Sequence, residues 1–488
     1  MKGGRERWIC VILSTMMSAL HWLRGRPGGG DSLRVWRQYD SGAALSLLWL
    51  ISLLIARPVD AQAVNGGMQA GMTGSYRARV ELLENPFRPV DTRSDHLLVS
   101  RLLLHAKADA GPYRAGVELQ DSRAFWFKAD TPLGTDDVNA LEPLQAYVGL
   151  THGTRGQGGE LDILAGRFTL DYGSRRLLAR NNFRNTSNAF TGVRAQWQRA
   201  DDWSVSGLYT SPNVSRASDR RALEDNEVSV DAPSRDRYFW GVTLDNVSAG
   251  SSGRIDAYLF GLRTAASAGD PSDRRQLFTL GARARGDVAS WTLEWEGAVQ
   301  YGRSRDGRAP QPFDLDHRAW FVHASARLPL DGAWEPGLSL RFDAASGDED
   351  PGDGRNQRFD KLFGARAFEL GPSGFYGLLT RSNLLSPGAR LDLRPWRAVD
   401  IQLGYRAAWL ESRRDVLPGS GLGDARGASG RFIGHQWELS AHWTDPSGSL
   451  QIEAGVTYLD KGGFLNSVPG NPMTGNTAYG YTQATYTF

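Results

Sequence analysis

The sequence predicts an all-β fold, a transmembrane antiparallel β-barrel of about eighteen strands with short periplasmic turns and long external loops. Three observations carry that prediction. Apolar and polar residues alternate along many successive segments. The connections between those segments alternate between short and long. The chain ends on an alternating stretch closed by an aromatic residue, Ala484-Thr485-Tyr486-Thr487-Phe488.

The alternation begins near Tyr76, where Tyr76, Ala78, Val80 and Leu82 interleave with Arg77, Arg79 and Glu81. It recurs at Tyr113 to Leu119, Trp291 to Gln300, Val399 to Ala407 and Leu450 to Tyr458. Successive strand side chains point to opposite faces, so each segment has one apolar and one polar face. The pattern places strands at 72–83, 95–108, 111–121, 143–151, 160–168 and 189–199, then at 202–210, 236–246, 253–264, 276–286, 290–301 and 318–328. The last six fall at 336–346, 386–394, 399–411, 432–444, 449–460 and 478–488. Short connections lie at 108–112, 199–202, 286–290, 395–398 and 445–449, and long ones at 122–142, 169–188, 211–235, 302–317, 347–386, 412–431 and 461–478. Every long one follows an odd-numbered strand. An even strand count with connection length sorted by parity is the pattern of a bacterial outer-membrane barrel, and a soluble sandwich has no reason to show it.

Composition agrees. No apolar run beyond the first sixty residues approaches the ~20 needed for a spanning helix, which excludes a helical membrane protein. Hydrophobic residues make up 41%, as expected when a strand shows lipid only every second side chain. The 16 Trp and 15 Tyr suit two interfacial aromatic girdles. A net charge of +2 implies no attraction to nucleic acid.

The N-terminal segment, residues 1–63, reads as a signal-peptide region. Gly42 to Ala56 is a short apolar core, Arg34 and Arg37 precede it, and Ala61-Gln62-Ala63 supplies a small-residue cleavage pattern that starts the mature chain at Val64. A membrane anchor over the same run is the alternative, disfavoured by the cleavage pattern directly after it. A second apolar run near Ile9 to Leu20 makes the leader over-long, which fits a true translation start near Val35. The single cysteine, Cys10, falls in this leader, so residues 64–488 form a barrel without disulfide or cysteine-based metal chemistry.

A barrel of sixteen to eighteen strands encloses an aqueous channel. If the apolar face meets lipid, the polar face lines the lumen. That set holds Arg77, Arg79, Glu81, Arg101, His105, Arg114, Glu118, Arg283, Arg285, Glu294 and Glu296. It continues with Arg341, Asp343, Arg390, Asp392, Arg394, Arg406 and Glu438. Guanidinium groups stay charged and grip carboxylates as a planar fork, so a ladder of them suits an anionic polymer passing hand over hand. The interspersed carboxylates keep each site weak enough to release. The same residues fit a general or small-anion uptake porin, in which Arg–Glu pairs brace a charged wall. No ordered Ser-His-Asp or paired-carboxylate arrangement argues for an enzyme, and no cofactor is implied. The acidic run Asp348-Glu349-Asp350 with Asp353 lacks the full calcium-loop pattern and reads as a solvated loop, so no metal site is assigned.

The segment from Gly166 to Trp197 resembles the hallmark stretch of the alginate export family. The matching residues are Gly166-Arg167, Tyr172-Gly173, Arg176-Leu177, Phe183-Arg184-Asn185-Thr186 and Phe190-Thr191-Gly192-Val193. Phe183 stands where that pattern has Trp. Ser346-Gly347-Asp348 with Pro351, Arg358-Phe359-Asp360 and Leu362-Phe363 resembles the family's large-loop motif. Gly434-His435-Gln436, Glu453-Ala454-Gly455 and Gly462-Gly463-Phe464 resembles its closing strands. The resemblance implies a monomeric eighteen-stranded barrel in the Gram-negative outer membrane, with an electropositive lumen for passive export of an anionic polysaccharide such as alginate. Its partners would be outer-membrane lipid and lipopolysaccharide, the polysaccharide itself and periplasmic export components. The third external loop, with Arg176, Arg184 and Asn185 between the strand residues Arg167 and Arg194, is expected to fold inward and narrow the channel. On that reading Arg176 and Arg184 are exposed at the constriction, and replacing both by alanine should lower anion selectivity while the barrel still assembles.

Overall fold

A computed structural model describes residues 62–64 and 67–488, apart from 89–92, 155–157, 200–202, 251, 266–273, 306–313, 368, 472 and 474. The leader assigned to residues 1–63 lies outside the described residues except for Gln62 and Ala63.

Eighteen strands form the wall. The first nine are β1 (Met68–Glu84), β2 (Ser94–Ala110), β3 (Tyr113–Phe125), β4 (Asn139–Thr154), β5 (Gly159–Phe168), β6 (Phe190–Arg199), β7 (Trp203–Val214), β8 (Arg237–Ala249) and β9 (Gly253–Thr264). The others are β10 (Arg275–Val288), β11 (Trp291–Arg305), β12 (Asp314–Pro329), β13 (Gly337–Ala345), β14 (Leu384–Trp396), β15 (Val399–Trp409), β16 (Phe432–Thr444), β17 (Leu450–Lys461) and β18 (Thr477–Thr487). Each pairs antiparallel with the next. β18 returns to β1, from Ser75↔Thr487 to Glu84↔Ala478, and closes the sheet without an edge. The terminal Phe488 extends this seam by exchanging backbone hydrogen bonds with Gly74 at 2.7 and 2.9 Å. Its ring lies where a Gly74 side chain would stand, 2.5 Å from an ideal Cβ, so any larger residue there would displace the ring.

All eighteen strands expected from the alternation are present, in the expected order. Several run further outward than the pattern shows. β12 starts at Asp314 because its outward positions 314, 316 and 318 are charged, and alternation without an apolar partner is invisible in sequence. β4 starts at Asn139, and register shifts at Glu118/Leu119 and Gln120/Ser122, with Leu141 at φ 52°, break the period there.

Outward positions such as Val117, Val148, Val242, Leu280, Val299 and Leu403 are exposed apolar residues, as a lipid-facing wall requires. Aromatic residues gather at both ends, with Tyr209, Tyr238 and Tyr301 toward the loops and Trp334 and Trp396 toward the turns. The loops following odd strands (L1 to L9 in chain order) are the long ones, notably L2 (126–138), L3 (169–189), L7 (346–383) and L8 (410–431). Short helices occur only within L4, α1 (Arg220–Glu224), and L9, α2 (Gly463–Ser467), among the described residues. In detergent the protein is expected to give a β-rich circular dichroism spectrum and to migrate faster on a gel unheated than boiled, because a closed barrel resists detergent until heated. A helix-rich spectrum would contradict this architecture.

Candidate functional site: the loop-narrowed lumen

L3 folds into the barrel, as its place in the sequence suggested. The cause is local. Leu170, Leu177 and Leu178 give the loop an apolar side, and they bury against a patch of inward-facing strand residues, Phe239, Phe260 and Phe321. L7 enters from the other side and joins L3 through a parallel bridge at Leu178↔Phe363. Phe363 N donates to Leu177 O (3.0 Å), Ala179 N to Phe363 O (3.1 Å) and Ala365 N to Arg175 O (2.9 Å). Gly364 is required at this junction, because a Cβ there would stand 1.7 Å from Arg176 O. The two loops form an arch across the lumen.

One foot of the arch rests on β1 to β3, and three wall arginines hold it. Arg77 donates to Asn182 O (2.9 Å) and Arg184 O (2.8 Å), and Arg101 donates to the same two carbonyls at 3.0 and 3.1 Å. Arg79 donates to Phe183 O (2.7 Å), lies 4.4 Å above the Phe183 ring and pairs with Glu81 at 2.9 Å. Asn185, fully buried, donates to Ser100 O (3.0 Å), Asp137 O (2.8 Å) and Arg123 O (3.3 Å). Arg184, beside it, pairs with Asp136 at 2.8 Å and donates to Asn188 at 2.9 Å. In L2, burial pushes the Asp137 carboxyl up to about 7, with the charges of Glu81 and Asp136 adding to the shift.

The other foot is Arg176. Its guanidinium donates to Glu369 of L7 (2.9 Å from Nε), to Glu296 (2.7 Å) and to Glu294 on β11. Burial alone would lower the Arg176 pKa, but these carboxylates, Glu369 foremost, raise it. Burial would likewise raise Glu369, but Arg381 and Arg176 hold it below the usual carboxylate range. Arg406 donates to Asp343 (3.0 Å) and to Glu369 O (2.8 Å), and His323 Nδ1 lies 2.9 Å from Asp343. His323, Asp343 and Glu369 bring donor atoms together as metal ligands do. Each carboxylate already holds a guanidinium, so the arrangement is a balanced charge cluster instead.

The expected lumen residues therefore divide. Arg77, Arg79, Arg101, Arg176 and Arg406 are buried braces, at most 8% exposed, and Asn185 is a buried anchor; Arg176 is not exposed as expected, and the four strand arginines point inward as expected but are covered by their partners. The pairings need groups on L7, L2 and the far wall, which strand alternation does not locate. Arg184 is partly buried. Arg167 is a correction of a different kind. It stands opposite Ala146, on the same outward face as the exposed Val148, and bonds Glu142, Pro143 O (2.7 Å) and Asp231 O (2.6 Å). It is five residues from the inward Asp162, and an odd spacing changes face. Arg114 and Arg194 face the lumen and share Asp162, at 2.5 and 3.1 Å. Arg283 pairs with Glu294 at 2.9 Å.

Arg341 and Arg390 remain. They border a chamber of about 390 Å³ beside the arch, with Asn182, Glu369, Glu438 and Glu453 also on its wall. Glu453 is taken by Tyr481 and Gln483, and Glu438 by Gln436. Arg390 has Asp392 at 3.0 Å. Arg341 has no hydrogen bond or ion pair among the described residues, which leaves a cation facing the chamber. The sequence reading missed Glu369 and Arg381, because neither lies in a segment with a periodic signal.

The model of the alginate export family matches residues 68–478. Among solved structures the chain resembles Pseudomonas aeruginosa OccD3 (OpdP), at 13% identity, TM-score 0.51, and coverage of 89% of this chain and 96% of that one. It resembles P. aeruginosa OccK5 (OpdH) at 12% identity, TM-score 0.52, and coverage of 86% and 98%. P. aeruginosa OccK2 (OpdF), solved in complex with glucuronate, gives 14% identity, TM-score 0.52, and coverage of 86% and 98%. At such identities the likeness shows the fold. No curated protein matches the chain in sequence. The closed eighteen-stranded barrel with its inward loops, and a family match over most of its length, make this chain a member of the alginate export family and an outer-membrane channel.

Proposed function

We propose that the channel passes an anionic polysaccharide, of the polyuronate kind, by passive export through the lumen narrowed by L3 and L7. The observation that carries this reading is the unpartnered Arg341 guanidinium beside Arg390 in the chamber next to the arch. Most other arginines at the arch are neutralised by carboxylates or spent on loop carbonyls. A passing carboxylate would meet Arg341 without first displacing a protein partner, and a single weak contact of that kind allows release. The family match supports a polymer as substrate. Uptake of a small anion is the second reading, favoured by the likeness in fold to OccK2, which was solved in complex with glucuronate.

The test is single-channel conductance in a planar bilayer with oligouronates as blockers. Arg341→Gln with Arg390→Gln should weaken block by about tenfold or more and lower anion preference in a reversal-potential measurement. The wild-type preference should fade near 1 M salt, where the Debye length is about 3 Å. Block that rises with oligouronate length supports the polymer, and equal block by the monomer supports uptake. Cation selectivity in the wild type would contradict both.

A further inference from the structure

We propose that the lipid-facing external rim of β9 to β12 is a docking site for the phosphate groups of a phosphorylated glycolipid in the outer leaflet. The inference concerns the outside of the barrel and is independent of what the lumen carries.

Strand register places the groups. One outward row across neighbouring strands reads Trp240, Gly261, Phe278, Tyr301 and Arg318. The row above it reads Tyr238, Arg263, Gln276, Arg303 and Asp316. Trp240 packs on Phe278 at 6.0 Å, and Phe278 stacks on Tyr301 at 5.9 Å, forming an aromatic floor. Such aromatic belts sit at headgroup level, with lipid tails below and phosphates just beyond. The arginines stand on that floor or one step beyond it.

Arg263, Arg303 and Arg318 are exposed, and none has a hydrogen bond or ion pair among the described residues. Asp316 stands opposite Arg303 in register without pairing to it. The arginines one step further out are different, since Arg305 and Arg274 both lie within ion-pair distance of Asp314, at 3.2 and 3.7 Å. The outward arginine of β3, Arg123, is also paired, with Asp121 at 2.9 Å. The rim of β9 to β12 thus presents three guanidinium groups outside any ion pair toward lipid, against the one carboxylate of Asp316 in the same rows. Arg303 and Arg318 are diagonal neighbours on adjacent strands, with Cα atoms roughly 7–8 Å apart, within reach of one phosphate. Arg263 lies two strand spacings from Arg303, roughly 10 Å, and suits a second. Exposed cations at this depth would repel one another in a neutral surround, and phosphate is the planar fork's natural complement.

The full-length protein in detergent is to be titrated with bisphosphorylated lipid A and with the same lipid stripped of phosphate, read by native mass spectrometry. The phosphorylated lipid should bind at least tenfold more tightly to the wild type. Arg263→Gln, Arg303→Gln and Arg318→Gln together should abolish that difference, and Arg303→Gln alone should reduce it several-fold. The faster migration of the unheated barrel and its single-channel conductance should not change, because all three face away from the lumen. Equal binding of both lipids by the wild type would overturn the proposal, as would an unchanged preference in the variants. Displacement of the lipid by inorganic phosphate at equal concentration would also overturn it, by showing a site for the free anion.

Discussion

Replacing Arg176 with alanine is expected to widen the channel and shift its selectivity toward cations. Arg176 joins Glu369 on L7 to Glu294 and Glu296 on β11. Its removal leaves three carboxylates facing one another with only Arg381 and Arg283 to share. Removing one partner of a buried pair typically costs about 3–5 kcal/mol, far more than losing an exposed one. That cost falls on the arch and not on the barrel, whose closed ladder has no contact through Arg176. The far foot would lift while Arg77, Arg79 and Arg101 still grip residues 182–184. Single-channel conductance should rise several-fold, with the freed carboxylates lining the wider path. Arg184→Ala should do much less, since its partner Asp136 is partly open to solvent and such pairs contribute little. Wild-type conductance in Arg176→Ala would mean that the apolar contacts of Leu177, Leu178 and Phe363 hold the arch alone.

The sequence alone suggested a milder outcome, with Arg176 exposed and its loss only reducing anion preference. The difference shows what a period of two can convey. Alternation fixes which way Arg77, Arg101 or Arg341 points, because the lipid side must be apolar at every second residue. It carries nothing about what an inward residue meets. Glu369 is 193 residues from Arg176 in a loop with no period. The inward fold of L3 was suggested by its length and its few glycines and prolines. Its seat was not, because Phe239, Phe260 and Phe321 sit at lumen positions otherwise assumed polar. An apolar residue on the inward face is a signal available in sequence, and here it marks where a loop lies against the wall.

Asn185→Asp is expected to detach the other foot, and to do so only above acidic pH. The Asn185 amide nitrogen faces three carbonyl oxygens, those of Ser100, Arg123 and Asp137, at 2.8–3.3 Å. An ionised carboxylate in that space replaces three donor contacts with three repulsive ones and places a charge in a fully buried position. Arg77, 3.4 Å from Asn185 Oδ1, is too far to offset this fully and is already shared with two carbonyls. Leaving a buried polar group unsatisfied costs about 1–3 kcal/mol, and more when it is charged. The introduced carboxyl would be fully buried beside Asp137, a residue whose own carboxyl burial pushes up to about 7. Its pKa should therefore rise too. The sign follows: below its unfolded pKa of about 4 it stays protonated in both states, carries no charge penalty and can donate one hydrogen bond. As pH climbs, the unfolded or detached form ionises first and the penalty grows until the folded pKa is passed. Cleavage within L3 by an arginine-specific protease, at Arg180 or Arg184, should therefore be much faster in the variant than in wild type at pH 8. Channel conductance should return toward wild type as the bilayer solution is taken to pH 4–5. Asn185→Ala lacks the charge and should show an intermediate loss with no such recovery. Equal protease resistance of the aspartate variant and wild type at pH 8 would mean that the amide does not bear the loop's attachment.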